Sequence, residues 1–177
     1  MIRAVMVINT QGKPRLAKFY EFQFLRSACG EATGAYTQRL WRFSCSLYLL
    51  SSRAENVSNF VDAESIFGPD TRLVYKHFAT LYFVFVFDSS ENELAMLDLI
   101  QVFVETLDKC FKNVCELDVV LNYSKMHTVM DEIIFGGQVL ETSSTEVMKA
   151  VEEISKLETA SNAISLVPKS VSAWRSR

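Results

Sequence analysis

The 177-residue sequence predicts an α+β domain in which a mainly antiparallel five-stranded sheet is flanked by helices. Short apolar runs rich in Val, Phe and Tyr recur up to Phe87, and turn residues separate them, which is typical of strands. Beyond Phe87 the apolar residues take helical spacing instead. A hydrophobic content of 49% with three Pro and six Gly indicates a globular chain with a substantial core.

Five segments are predicted to form the sheet. The apolar run Ala4–Ile8 is typical of a central strand covered on both faces. A turn around Gly12 leads into Arg15–Tyr20, with Pro14 at the strand start, where no backbone donor is needed. Three further strands are predicted at Glu64–Phe67, Arg72–His77 and Ala79–Phe87. Their succession predicts an antiparallel meander joined to the first hairpin.

The longest predicted helix follows the last strand. Ser90 and Glu93 fit a capping box, in which each satisfies the other's free backbone donor. Apolar side chains cover more than half of the circumference over Leu94–Leu107, whereas an ordinary surface helix has one apolar stripe of about 100°. The sheet can cover one side. The surplus predicts a second cover, either another helix of this chain or a partner protein.

The remaining predicted helices occupy the C-terminal third. Leu117–Asn122 and Met126–Ile134 are predicted as helix ending at two glycines, and a capping box at Ser143–Glu146 opens the last helix. The apolar face of that last helix consists of Val147, Val151 and Ile154. Past Leu157, small polar residues and isolated basic ones predict a flexible tail. One domain is therefore expected over residues 1–158, followed by a flexible basic tail over residues 159–177.

Charge and composition exclude several classes of partner. The first 20 residues carry four cationic side chains and no acid, within a chain of net charge −3. This basic edge suits an acidic peptide or an anionic lipid but is too thin for nucleic acid. The uncharged run Ala79–Phe87 is far shorter than the roughly 20 residues of a membrane-spanning helix. Met1–Ile8 indicates a strand and not a signal peptide, so the cysteines are expected to be reduced in the cytosol.

Motifs for catalysis or cofactor binding do not occur in the sequence. It contains no P-loop, G-x-G-x-x-G, G-x-S-x-G or H-E-x-x-H pattern, and its four cysteines and two histidines lack zinc-site spacing. Cys110 lies on the strongly apolar helix, which favours a core thiol over a nucleophile. The sequence therefore predicts a protein that is not an enzyme and uses no cofactor.

Long blocks of the sequence resemble a known family. "MIRAVMVINTQGKPRLAKFY" at the start, "YKHFATLYFVFVFDSSENELAMLDLIQVFVETLDKCFKNVCELDVV", "NYSKMHTVMDEIIF" and "GGQVLETSS" are similar to the sigma (small) subunits of heterotetrameric vesicle-coat adaptor complexes. "GKPRL" and "DLIQVFVETLDKCF" look most like the third, delta-containing adaptor type, and "SLVPKSVSAWRSR" looks like its plant version. The resemblance covers Met1–Tyr20 and about Asn56–Leu157.

The resemblance implies a fold and a set of partners. The family's fold is longin-like, a five-stranded sheet with helices on both faces. Its members are non-enzymatic subunits held by a large subunit, here a delta-type chain, beside beta and mu subunits. The implied protein is cytoplasmic, associates peripherally with Golgi, endosomal and vesicle membranes, and serves transport towards the vacuole or lysosome. The large subunit would then cover the surplus apolar surface of the Leu94–Leu107 helix.

The resemblance also implies a site for cargo. Sigma subunits help to bind acidic dileucine signals, in which an acidic residue precedes a pair of leucines in the cargo's cytoplasmic tail. Arg15 matches the position that binds the acid. The positions that surround the two leucines correspond to Ala79, Leu81, Val104, Asn113, Val114 and Leu117. A purely structural subunit without cargo binding, or another longin-type protein such as a coatomer small subunit, are the alternative hypotheses.

One segment departs from the family's pattern. Glu21–Ser52 is longer than the family's first helix and lacks that helix's acidic face, and Gly30 and Gly34 disfavour helix early in it. The segment is either a variant that packs differently or the product of an altered transcript or gene model. The predicted cargo residues lie outside it.

Overall fold

The computed structural model describes residues 1–20 and 58–165, and side chains up to residue 161. The atypical segment 21–52 lies outside the described residues. The strands are β1 (Ile2–Asn9), β2 (Pro14–Phe19), β3 (Phe60–Asp62), β4 (Thr71–Phe78), β5 (Leu81–Asp88), β6 (Ile134–Phe135) and β7 (Gln138–Val139). The helices are α1 (Glu64–Phe67), α2 (Glu93–Phe111), α3 (Glu116–Leu121), α4 (Tyr123–Ile133) and α5 (Ser144–Ser165).

In the part of the chain that the structure describes, the main sheet has five strands in the order β2-β1-β5-β4-β3, and every neighbouring pair is antiparallel. The predicted hairpin and meander are thus confirmed, joined through the pairing of β1 with β5. Both strands are central, which explains their apolar runs, since each is covered on two faces. Helices α2, α4 and α5 share one hydrophobic core with one face of this sheet.

The edge strand β3 lies earlier than predicted. The prediction of a strand at Glu64–Phe67 is wrong, because these residues form the single helical turn α1. The Asp62 carboxylate accepts a hydrogen bond from the Glu64 backbone N–H (3.1 Å) and turns the chain out of the sheet. Only Phe67 of the four residues is buried, so this turn places one side chain in the core.

The start of α2 also differs from the prediction. Asn92, and not Ser90, caps the helix, with its side-chain oxygen accepting from the N–H groups of Leu94 (3.0 Å) and Ala95 (3.4 Å). Ser90 is instead hydrogen-bonded to Asp88 at the end of β5. Ser90 therefore stabilises the turn after β5, and the helix begins two residues later than the capping-box pattern suggested.

The surplus apolar surface of α2 is largely covered by the chain itself. The helix packs against β4 and β5 on one side and against α4 and α5 on the other. Phe103, which is 1% exposed, meets Phe83 edge-on with ring centroids 5.9 Å apart. Among the described large apolar side chains of α2, Leu94 alone is exposed, at 65%. The expectation that a large subunit covers this surface is therefore wrong for most of the helix: the chain's own helices do so.

Helices α3 and α4 confirm the two helical predictions for this region, but α4 ends earlier than its predicted end. Ile134–Phe135 forms β6, which pairs with β7 in a small hairpin, and Gly136 and Gly137 form its turn with positive φ angles. Gly137 also lies against the start of β1: its carbonyl accepts from the Ile2 N–H (2.8 Å), and an added Cβ would lie 2.4 Å from the Ile2 carbonyl oxygen.

The last helix runs past its predicted end. The tail was predicted to begin after residue 158, but α5 continues to Ser165, because its small residues do not interrupt a helix and the first proline comes at Pro168. The predicted capping box at its start is absent: the Ser143 N–H donates to Glu141 (2.8 Å), and Glu146 pairs with Lys149 (2.7 Å). Within the described residues, no helix is long and apolar enough to cross a membrane.

Candidate peptide-binding site

Two adjacent turns and helix α3 meet at one end of the sheet, where Arg15 and Ala79 of the predicted cargo residues lie. The β1–β2 turn and the β4–β5 turn are joined by a hydrogen bond from the Thr10 N–H to the Thr80 carbonyl (3.1 Å). Asn9 and Leu81 face each other in the β1–β5 ladder. Helix α3 packs beside β2 at this end. Arg15 on β2 and Glu116 on α3, which are 101 residues apart in the chain, are thereby placed side by side.

The centre of this surface is an ion pair between Arg15 and Glu116. The Glu116 Oε1 atom lies 2.7 Å from Arg15 Nε and 2.5 Å from Arg15 Nη2. The two side chains are 25% and 30% exposed, so the pair is open to solvent on one side. Arg15, the predicted donor to an acidic peptide side chain, therefore has a carboxylate partner within its own chain.

Asn9 is the buried third member of the cluster. Its Nδ2 donates to Glu116 Oε1 (3.0 Å), and the residue is only 3% exposed. Its Oδ1 accepts from the N–H groups of Gln11 (3.1 Å) and Lys13 (2.8 Å), which fixes the amide and the β1–β2 turn together. Asn9 is thus held so that its amide donor points at the same oxygen as the Arg15 guanidinium.

The Glu116 carboxylate is stabilised in its ionised form. Partial burial raises its pKa, but the hydrogen bonds from Asn9 and Arg15 and the positive charges of Arg15 and Lys13 oppose this, and the pKa ends below its usual value. The carboxylate is therefore charged at neutral pH and forms an ion pair with Arg15 before any ligand arrives.

The predicted apolar residues divide into exposed and buried members. Leu117, next to Glu116 on α3, is 61% exposed. Ala79 is exposed at the β4–β5 turn, with φ of 51°, and Val114 is half-buried against the core. Leu81 and Val104 are core residues, 4% and 6% exposed. The first three can contact a ligand directly, whereas the last two lie beneath the surface.

The loop between α2 and α3 is held in an unusual conformation. Lys112 and Asn113 both have positive φ, at 52° and 76°. The Val114 N–H donates to the Asp108 carboxylate (3.0 Å), and the Cys115 N–H donates to Asp118 (2.9 Å). The exposed Asn113 therefore sits on a loop fixed at both ends, where its side chain is accessible.

Other features of the molecule do not add to this site. Described residues line three surface cavities. One of about 380 Å³ lies near β3, and two of about 320 and 150 Å³ lie against α4 and α5. Cys110 is half-buried, with its Sγ 3.2 Å from Met148 Sδ, and burial raises the pKa of its thiol. No cluster of three metal-ligating side chains occurs within residues 1–20 and 58–165.

Comparison with known proteins places these observations in a family. The model of the family described as "Clathrin adaptor complex small chain" matches residues 1–158. The chain is 70% identical to the "AP-3 complex subunit sigma" of Arabidopsis thaliana over 177 residues, covering 100% of both chains. It is 44% identical to the "AP-3 complex subunit sigma-2" of Homo sapiens, covering 95% of this chain and 82% of the relative.

A solved structure has the same architecture. One chain of the structure described as "Homology model of the full-length AP-3 complex in a stretched open conformation" matches with a TM-score of 0.66 and 33% identity. The match covers 92% of this chain and 98% of that one. Together with the sequence matches, it confirms the predicted longin-like fold and a role as an adaptor subunit and not an enzyme. The chain belongs to the clathrin adaptor complex small chain family.

Proposed function

We propose that this chain is the small subunit of an AP-3-type adaptor complex and helps to select cargo for vesicle transport from Golgi or endosomal membranes to the vacuole. The relatives named as AP-3 sigma subunits support the first part. The complex would contain a delta-type large subunit in direct contact with this chain, together with beta and mu subunits. The chain would act at the cytoplasmic face of the membrane through that complex.

The proposed ligand is an acidic dileucine signal: Asp or Glu, three residues of any kind, Leu, and then Leu or Ile. The observation that carries this proposal is the exposed Leu117 on α3, which follows Glu116, the residue that pairs with Arg15. An extended peptide needs an apolar surface for its leucines and a cation for its acid. Both are present on one end of the sheet: Arg15 lies on β2 and Leu117 on α3, and the Arg15–Glu116 ion pair joins these two elements.

The two parts of such a signal contribute unequally. Burying a leucine side chain contributes about 1.5–3 kcal/mol. A solvent-exposed ion pair contributes about 0–1 kcal/mol. The leucines should therefore determine most of the affinity, while Arg15 determines which peptides are accepted.

Burial assigns different tasks to the apolar residues. Leu117, Ala79 and Val114 offer surface to a ligand, with Asn113 at the rim. Leu81 and Val104 support that surface from within the core. Replacing Val104 with a polar residue would weaken folding first, because it buries an unsatisfied hydroxyl or leaves a void. Leu117 is the residue whose replacement tests binding without that complication.

The test is peptide binding by the assembled adaptor complex. We expect Leu117→Ser to weaken binding of a fluorescent acidic dileucine peptide about tenfold, the effect of losing one leucine contact. Leu157→Ser is the matched control, since Leu157 is 70% exposed on α5 and should leave binding unchanged. Fluorescence anisotropy measures both, and thermal melting of both complexes verifies that they are folded.

A purely structural subunit is the second candidate. Two observations favour it: Leu81 and Val104 are closed to solvent, and the Arg15 guanidinium already has a carboxylate partner. Two results would contradict cargo binding by this chain and leave the structural role: a wild-type complex that does not bind the peptide, or a Leu117→Ser complex that binds it as tightly as the wild type does.

A further inference from the structure

We propose that Glu116 is an internal competitor for the peptide-binding site: its carboxylate occupies the donors that an acidic residue of a peptide would use. The inference rests on the proposed function and names the residue that sets its selectivity. In this arrangement the chain's own acid must leave before the acid of a ligand can bind the same edge of the Arg15 guanidinium. Glu116 therefore limits how much an acidic residue adds to the affinity of a peptide.

Glu116 occupies one edge of the Arg15 guanidinium. An arginine presents its N–H donors in a flat fork that binds a carboxylate along one edge. Glu116 Oε1 lies within 2.7 Å of Nε and 2.5 Å of Nη2, so one whole edge of the Arg15 fork is taken. An arriving carboxylate must displace Glu116 to use this edge.

Asn9 restricts which ligands can displace Glu116. Its amide Nδ2 donates to the same Glu116 oxygen (3.0 Å), and the side chain is almost completely buried. A buried amide that loses its acceptor is costly. Displacing Glu116 is therefore favourable only for a ligand that supplies an oxygen both to Arg15 and to Asn9. The two donors form a small site of fixed geometry that binds an acceptor oxygen.

The placement of Glu116 makes such an exchange feasible. It is the first residue of the six-residue helix α3, its side chain is 30% exposed, and the neighbouring residue Leu117 projects into solvent. The carboxylate can swing out without disturbing the core. One carboxylate then replaces another at the same donors, so charge is conserved at the site and the net gain is small.

The test combines two peptides with the assembled adaptor complex. One peptide carries Glu four residues before the first leucine, and the other carries Gln there. We expect Glu116→Gln to raise the ratio of the two affinities about two- to fivefold, the range for one exposed charge pair. Glu105→Gln on α2 is the matched control, since it removes an equal charge from an exposed side chain that accepts from Gln101.

A second variant separates competition from a fold defect. Glu116→Asp keeps the charge and the start of α3 but shortens the side chain, so one oxygen no longer reaches both Asn9 and Arg15. We expect a smaller rise in the same ratio. Anisotropy titrations at fixed salt give the affinities, and thermal melting confirms folding of each complex.

The outcomes are distinct from those of the proposed function. A wild-type complex that binds neither peptide overturns the cargo-binding function itself. A complex that binds both, with an affinity ratio unchanged or lowered in the two Glu116 variants, overturns the competition. In the lowered case Glu116 would orient Arg15 for the ligand and not compete with it.

Discussion

Helices α2 and α3 are neighbours in the chain, yet most apolar side chains of α2 are covered and most of those of α3 are exposed. Helix α2 has apolar residues around most of its circumference and hides nearly all of them against the sheet, α4 and α5. Helix α3 has only six residues and places Leu117, Val120 and Leu121 in solvent, at 61%, 44% and 71% exposure.

The comparison shows that the apolar surplus of one helix does not locate an interface. The two helices differ in what packs around them: α2 lies between a sheet and two helices, whereas α3 is anchored by the single buried residue Val119. A short helix at the sheet end cannot bury two faces, so its leucines remain available to a partner. Exposure in three dimensions, and not the count in sequence, marks the surface for binding.

The largest expected effect comes from making one substitution in both helices. Leu99→Ala in α2, where Leu99 is 3% exposed, should lower the free energy of unfolding by about 2–5 kcal/mol through lost contacts and a cavity. Leu121→Ala in α3 should change it by less than about 0.5 kcal/mol, because its side chain is already in water. Urea denaturation of the purified chain measures both. Equal losses would contradict the difference between the helices.

A smaller effect tests how much α2 depends on its cap relative to its packing. Asn92→Ala removes the acceptor for two N–H groups at the start of α2 and should lower the free energy of unfolding by about 1 kcal/mol. Ser90→Ala is the control, since Ser90 serves the preceding turn. An unchanged free energy of unfolding in Asn92→Ala would contradict the role of Asn92 as the cap.

The smallest effect concerns α4, which follows α3 and packs on α2. Burial of the His127 imidazole, and secondarily the charge of Lys18, lowers its pKa below 6.5. The unfolded chain then takes up a proton at a higher pH than the folded chain, so stability is full above pH 6.5 and declines as the pH falls below it.

Replacing His127 with Asn should flatten this decline, while the exposed His77, the other histidine of the chain, serves as control in His77→Asn. Melting temperatures between pH 5.5 and 8 give the comparison, with expected differences of about 1–3 °C. An unchanged slope in the His127 variant would show that other groups cause the decline.

Much of the fold was predictable because its signals are local. The apolar runs of β1 and β5 indicate central strands, and the helical spacing after Glu93 indicates α2. The edge strand β3 was misplaced because three residues carry little pattern, and Asp62 decides locally where the chain turns. The cover of α2 could not be predicted, since it depends on how α4 and α5 return to it.

The candidate site was only partly predictable. The resemblance to the family pointed to Arg15 and to the apolar positions, but it carried no information about which of them are exposed. The partner of Arg15 was missed: Glu116 lies 101 residues away, and no periodicity links them. Asn9 was missed as well, because an asparagine at a strand end usually indicates a turn and nothing more.

The contact of Gly137 with the first strand has a consequence for sequence variation. Both its positive φ and the 2.4 Å approach of any added Cβ to the Ile2 carbonyl oxygen act at the same position. Neither a change of rotamer nor a smaller side chain relieves either constraint, because the clash begins at the first carbon. Functional clones from a saturation library at codon 137 should therefore carry glycine and no other residue. Codon 136, whose added Cβ meets open space, should accept asparagine as well as glycine.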